Sequence, residues 1–140
     1  MAFAGGEYCS PLQKEFMRGI NQERQTNGRN ALVPIVCLNE YADSRAKYLW
    51  AINKLVHTSP LEIFAPSDWR AVGENIGYST SVSKLINGWM NSPGHKRNIL
   101  DRDFEYFGVG VFIDKETGRI WAVTNFLKSV KSYAKAKDCE

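Results

Sequence analysis

Apolar residues recur one helical turn apart through much of this chain and give way to dense aromatic and β-branched runs near its end. Leu12, Phe16 and Ile20 share one face of a segment that predicts a helix over residues 11–27. Ser10 ahead of Pro11 supplies an N-cap with proline at the first helical position, and Gly28 supplies the stop. Residues 31–38 read as extended, but Pro34 lacks the N–H that a central strand needs. Asn39 is the expected cap of a second helix that runs to about Lys54 and buries Ala42, Ala46 and Leu49. Tyr41, Tyr48 and Trp50 read as packing and flanking residues of that helix rather than a ligand platform.

Residues 56–70 hold His57, two prolines and Trp69 and predict a loop. A short extended segment follows over residues 72–78, entered and left through glycines. Residues 81–90 return to helical spacing, with Val82, Leu85, Ile86 and Trp89 on one face. Ser92-Pro93-Gly94-His95 then repeats the cap-plus-proline start and opens a short helix through Leu100. His95 falls in its first turn, where the helix dipole disfavours the imidazolium and keeps the ring neutral. Residues 106–113 and 119–126 are joined by Asp114-Lys115-Glu116-Thr117-Gly118 and predict a β-hairpin. Gly108 and Gly110 in its first strand point to a bulge or to close approach by another element.

Composition narrows the class. A chain of 140 residues with 44% hydrophobic and 12% aromatic content suits one globular domain that buries its own core. No apolar run approaches the length that spans a bilayer. Residues 1–6 are too short for a signal peptide and lack its charged start, so none is expected in this chain. A formal net charge of +3 does not argue for a nucleic-acid protein. Lysines at 128, 131, 135 and 137 mark a basic tail, read as a solvated, frayed end, with polyanion or membrane-surface attachment the less favoured role.

Cys9, Cys37 and Cys139 form no CxxC pattern, which excludes a zinc ribbon. One disulfide plus one free thiol is the simplest oxidised state. The first helix and its extended return could bring Cys9 to Cys37, while Cys139 competes for either; three free thiols remain the alternative.

The only histidines are His57 and His95, and Glu74 lies between them in Gly73-Glu74-Asn75-Ile76-Gly77. Two imidazoles and a carboxylate are donors that a divalent metal accepts, but their separations require a fold to bring them together. Helices first, an extended segment between helices and a final hairpin give an α+β arrangement. Here the chain resembles the CAP superfamily, the cysteine-rich secretory, antigen 5 and pathogenesis-related proteins with an SCP-like domain. The residues that carry the resemblance are His57-Thr58-Ser59, Gly73-Glu74-Asn75-Ile76, Trp89 through Asn98-Ile99-Leu100, and Phe107-Gly108-Val109-Gly110 leading to Trp121 and Phe126. The opening Ile20-Asn21-Gln22-Glu23-Arg24 and residues 38–46 also match, and the short form with Ser-Pro-Gly-His is similar to the bacterial members.

The resemblance implies a three-layer α-β-α sandwich with a central antiparallel sheet, an N-terminal extension over 1–10, the CAP domain over 11–127 and the basic tail over 128–140. It also implies a secreted, extracellular setting, in which two of the cysteines pair. His57, Glu74 and His95 match three of the four residues with which many relatives line a metal-holding cleft. The fourth, a glutamate in those relatives, is Ser92 here, a poor ligand expected to cap its helix. Zn2+ or another divalent cation is the cofactor so implied, with Asn75 and Ser92 supporting the cleft.

The function so implied is extracellular recognition of a protein, glycan or lipid by a monomer. One alternative is a metal-dependent hydrolase using Glu74, His95 and His57, or a serine version with Ser59 or Ser92 beside a histidine. Neither serine lies in a strained nucleophile turn, which favours binding over catalysis. The other alternative is a sterol or fatty-acid binder using the loop with Ile63, Phe64 and Trp69, although that loop is expected to fold over the core.

Overall fold

Ser10 starts the first helix as its position predicts. The computed structural model describes residues 9–139, and in it α1 spans Pro11–Thr26 behind a full capping box. The Gln13 N–H donates to the Ser10 hydroxyl at 3.1 Å, and the Ser10 N–H donates to the Gln13 carboxamide at 2.8 Å. Phe16 and Ile20 are fully buried, each worth roughly 1.5–3 kcal/mol of apolar transfer.

After α1 comes a two-residue strand, β1 (Val33–Pro34), and then α2 (Val36–Ile52). This helix begins ahead of the expected Asn39 cap. Asn39 is fully buried instead, and its side-chain oxygen accepts the Val109 N–H at 3.0 Å. A polar residue of cap type has here been taken up by a tertiary bond.

A 3₁₀ turn (Leu61–Phe64) leads into β2 (Trp69–Ser79). α3 (Val82–Met90) is capped by Ser81, α4 (Pro93–Leu100) follows, and β3 (Tyr106–Ile113) with β4 (Ile120–Ser129) forms the hairpin. The sheet order is β1-β3-β4-β2. β1 runs parallel to β3, and β3, β4 and β2 are mutually antiparallel along that order. β2 and β4 both extend beyond the expected segments, because Trp69 pairs as far out as Ser129.

Helices α1, α3 and α4 cover one face of the sheet around Phe16, Trp89, Phe107 and Phe126. Helix α2 covers the other face, over Ile76, Trp121, Val123 and Leu127. The result is the three-layer α-β-α sandwich. Gly108 and Gly110 mark a close approach rather than a bulge: a Cβ on either would strike the α2 backbone at Leu38 or Ala42.

Two features position the elements that matter for the site. Arg24, only 1% exposed, donates to the carbonyls of Asn30, Ile99 and Asp101 at 2.7–2.8 Å. It thereby ties α1 to the C-terminal end of α4, and burial lowers its pKa. The second is the chain's own end. The tail expected to be frayed is strapped to the body: Cys139 is bonded to Cys9, and the Ala136 N–H donates to the Pro34 carbonyl at 2.8 Å. The Tyr133 hydroxyl donates to Asp68 at 2.6 Å. The disulfide therefore uses Cys139, and Cys37 is an exposed free thiol at the start of α2. The reading of residues 1–6 lies outside the described residues.

Candidate functional site

β2 is an edge strand, and its alternation sends successive side chains to opposite faces of the sheet. Glu74 points to the α2 face, while Asn75 points to the α3/α4 face. Gly73 and Gly77 have no side chains to hold off Asn98 and Trp89, so α3 and α4 reach the strand closely. The Asn98 amide donates to the Glu74 carbonyl at 3.2 Å, and the Trp89 indole donates to the Ile76 carbonyl at 3.2 Å. Side chains from both layers thus converge on the outer edge of β2.

Glu74 is 3% exposed, and four donors surround its carboxylate. Oε1 accepts from the Thr58 N–H at 2.9 Å and lies 2.9 Å from His57 Nδ1. Oε2 accepts from the Thr58 hydroxyl at 2.7 Å and the Asn125 amide at 2.9 Å. Tyr41 backs the group, its hydroxyl 2.6 Å from that of Thr58. A buried carboxylate needs such partners to stay charged. Their consequence is that both oxygens are committed, and Glu74 orients the His57 ring. The ring itself is 57% exposed at its side chain.

His95 is held differently. Its Nδ1 lies 2.9 Å from the Ser92 hydroxyl, its ring stacks on Trp89 at 6.1 Å between centroids, and its carbonyl accepts from the Asn75 amide at 3.1 Å. Ser92 occupies the N-cap position of α4 but makes no side-chain cap bond. The expected cap role is corrected: the hydroxyl has turned to the histidine. His95 has a lowered pKa, first because it is partly buried and second because His57 lies near enough to repel its charge. The expected direction holds, although desolvation rather than the helix end is the main cause.

His57, Glu74 and His95 therefore meet at one edge of the sheet, with both rings anchored through Nδ1. The Nε2 atoms of both rings have no hydrogen-bond partner among the described residues. Three-residue ligation by His57, Glu74 and His95 does not fit this arrangement, because Glu74 has no free lone pair. Among the described residues no group of three or more His, Cys, Asp or Glu side chains has metal-holding geometry.

The loop residues Ile63, Phe64 and Trp69 do not form one surface. Phe64 is buried and packs on Tyr41 with ring centroids 5.6 Å apart, Trp69 opens β2, and only Ile63 points outward at 63% exposure. Tyr41, read from the sequence as packing, Thr58, read only as part of the family motif, and Asn125 had been given no role in the site. Asn125 had a visible signal, since Thr124-Asn125 is a polar pair inside the otherwise apolar run of residues 120–127.

With this geometry in place, the profile of the cysteine-rich secretory protein family, CAP, matches residues 17–126. The chain belongs to the CAP family. The CAP domain here is of the bacterial type. The uncharacterized protein YkwD of Bacillus subtilis is 31% identical over 121 residues, a match covering 80% of this chain and 46% of that protein. The chain spans less than half the length of the curated relatives it matches. Among solved structures, an outer surface protein from Borrelia burgdorferi superposes with a TM-score of 0.76 at 19% identity, over 89% of this chain and 98% of that one. An extracellular protein containing an SCP domain from Bacillus anthracis superposes at 0.71 with 23% identity, over 83% of this chain and 40% of that one. Among the described residues no helix of this CAP protein is long and apolar enough to cross a membrane.

Proposed function

We propose that this CAP chain is a secreted recognition module that binds through the His57/His95 edge of its cleft. The observation that carries this reading is the shared anchoring of both imidazoles through Nδ1. Glu74 fixes one ring and Ser92 the other, which leaves two Nε2 atoms free for a common ligand. A divalent cation such as Zn2+ would be held by His57 and His95 alone, with Glu74 as the orienting carboxylate behind His57. Bound there, the ion supplies a Lewis-acidic contact for an oxygen of the ligand. The extracellular B. anthracis neighbour supports the setting but, at 23% identity, speaks directly only to the fold.

Binding is favoured over hydrolysis by the state of Glu74. Both oxygens of this carboxylate already face two donors each, which leaves no open acceptor position toward an attacking water. A lipid role has less support, since Phe64 is in the core and α1 packs against α3 so closely that a Cβ on Gly19 would strike Ile86.

Calorimetric titration of zinc at neutral pH into the wild type, His57→Ala and His95→Ala tests the proposal. One-to-one binding lost in both variants supports a shared cleft. Absence of binding to the wild type removes the cation, and binding retained by both variants removes the cleft.

A further inference from the structure

The strapped C-terminal segment brings charge to the far side of the molecule. Two adjoining cavities of about 430 and 450 Å³ lie along α1, β1 and this segment, and both are lined by Lys135 and Cys139. Each is within the range of about 300–1,000 Å³ usual for ligand sites. Lys14 and Arg18, one turn apart on α1, line them together with Lys135 and Lys137 from the tail. Lys14, Arg18 and Lys137 form no ion pair among the described residues. Asp138 is the only carboxylate lining either cavity among the described residues. Among the described residues that line the two cavities, cations outnumber carboxylates. Such clustering attracts an anionic partner.

The wall of the 430 Å³ cavity identifies the kind of anion. Ala31, Val33 and Pro34 give it apolar lining, and the exposed residues Gln22 and Gln25 add side-chain amides. A purely anionic polymer has no use for an apolar wall. A peptide does, if an apolar side chain enters there, its backbone meets the amides and its carboxylates follow toward the lysines. Addition to the sheet is closed to it. The Leu32 N–H and carbonyl are both bonded to the Asn21 side chain, and the Pro34 carbonyl is bonded to Ala136.

The disulfide builds this groove. Cys139 lines both cavities, Cys9 lies next to the Ser10 cap of α1, and the bond between them holds the tail lysines beside Lys14 and Arg18. We infer that the groove between α1, β1 and the Cys9–Cys139 strap docks an acidic peptide segment of a protein partner, and that it is formed only in the oxidised state. This surface is separate from the histidine cleft, and its test is independent of that reading.

Fluorescence anisotropy with a fluorescein-labelled peptide of one leucine followed by four glutamates tests the inference on the oxidised chain. Saturable binding is expected. It should weaken about tenfold in Arg18→Glu/Lys137→Glu, a double charge reversal on exposed side chains, and stay unchanged in His57→Ala and His95→Ala. It should weaken similarly on reduction and in Cys9→Ser/Cys139→Ser, with far-UV circular dichroism confirming that each form is folded. No saturable binding, or equal binding of a peptide with serine in place of leucine, overturns the peptide assignment. Stronger binding of a sulfated polysaccharide at the same residues overturns it in favour of an anionic glycan. Affinity unchanged in folded, reduced protein overturns the role of the strap.

Discussion

The Ser92 hydroxyl lies 2.9 Å from His95 Nδ1, and that bond takes the side chain away from the helix end it precedes. Removing the hydroxyl should therefore cost the fold little and the cleft much. Ser92→Ala is expected to keep stability within about 0.5 kcal/mol, since no cap bond is lost. Zinc affinity should fall about tenfold as the ring loses its orientation. Chemical denaturation and calorimetry on the same variant separate the two effects, and a large stability loss with intact affinity would assign Ser92 to the helix.

His95 also gives a pH signature. Its folded pKa lies below the ordinary 6.5, so as pH falls from there the unfolded chain binds the proton first. Stability should thus decline across the window below 6.5, and the decline should shrink in His95→Gln. Ser92→Glu places a carboxylate beside the ring and should raise the His95 pKa, read by its imidazole resonances in an NMR titration. A lower pKa in that variant would contradict the geometry.

Glu74 is satisfied only as a carboxylate. In Glu74→Gln one oxygen becomes an NH2 group facing donors from Thr58 and Asn125 or from His57. At least one buried donor then loses its acceptor, at about 1–3 kcal/mol each. Urea denaturation should show this loss, together with a His57 ring that is no longer fixed. Wild-type stability in the variant would mean that the four donors have other partners.

Asp43 offers a gain in stability. Burial raises its pKa to about 6, although its oxygens accept from the Val111 N–H at 3.2 Å and lie near the Gln13 amide. A carboxyl whose folded pKa is raised contributes most below 3.8, and the contribution is lost as pH rises through about 6. Asp43→Asn keeps an oxygen for Val111 without the charge. It should stabilise the chain at pH 7 by about 1 kcal/mol, a figure discounted for the solvent that still reaches this half-buried group. The gain should vanish near pH 4, and thermal melts at the two pH values check both halves.

These residues also show where the sequence was readable. Helix α1 was legible because its cap, Ser10, satisfies a local N–H, and α3 because Val82, Leu85, Ile86 and Trp89 share the face it buries. Asn39 and Ser92 stand in equally cap-like settings, yet Asn39 accepts the distant Val109 N–H and the Ser92 hydroxyl meets the ring of His95 three residues on. One-dimensional spacing does not distinguish these cases. His57, Glu74 and His95 were recognisable as a set, but the commitment of Glu74 depends on Asn125, far along the chain and on another strand. The pairing of Cys9 with Cys139 depends on where the tail returns, which no local pattern encodes.

That return sets the last expectation. The Cys9–Cys139 bond closes a loop across a sequence separation of 130, so its loss frees much of the unfolded chain. Cys9→Ser/Cys139→Ser should lower stability by about 2–5 kcal/mol. The tail should then loosen from its end inward, because Tyr133 remains anchored by its 2.6 Å bond to Asp68 and by its N–H to the Tyr106 hydroxyl at 3.0 Å. Hydrogen exchange should accordingly rise at Ala136 before Tyr133. Cys37→Ser, at an exposed thiol outside the bond, should leave both readouts unchanged. A Cys37→Ser variant that destabilises as much as the double serine variant would show that the pairing in solution is a different one.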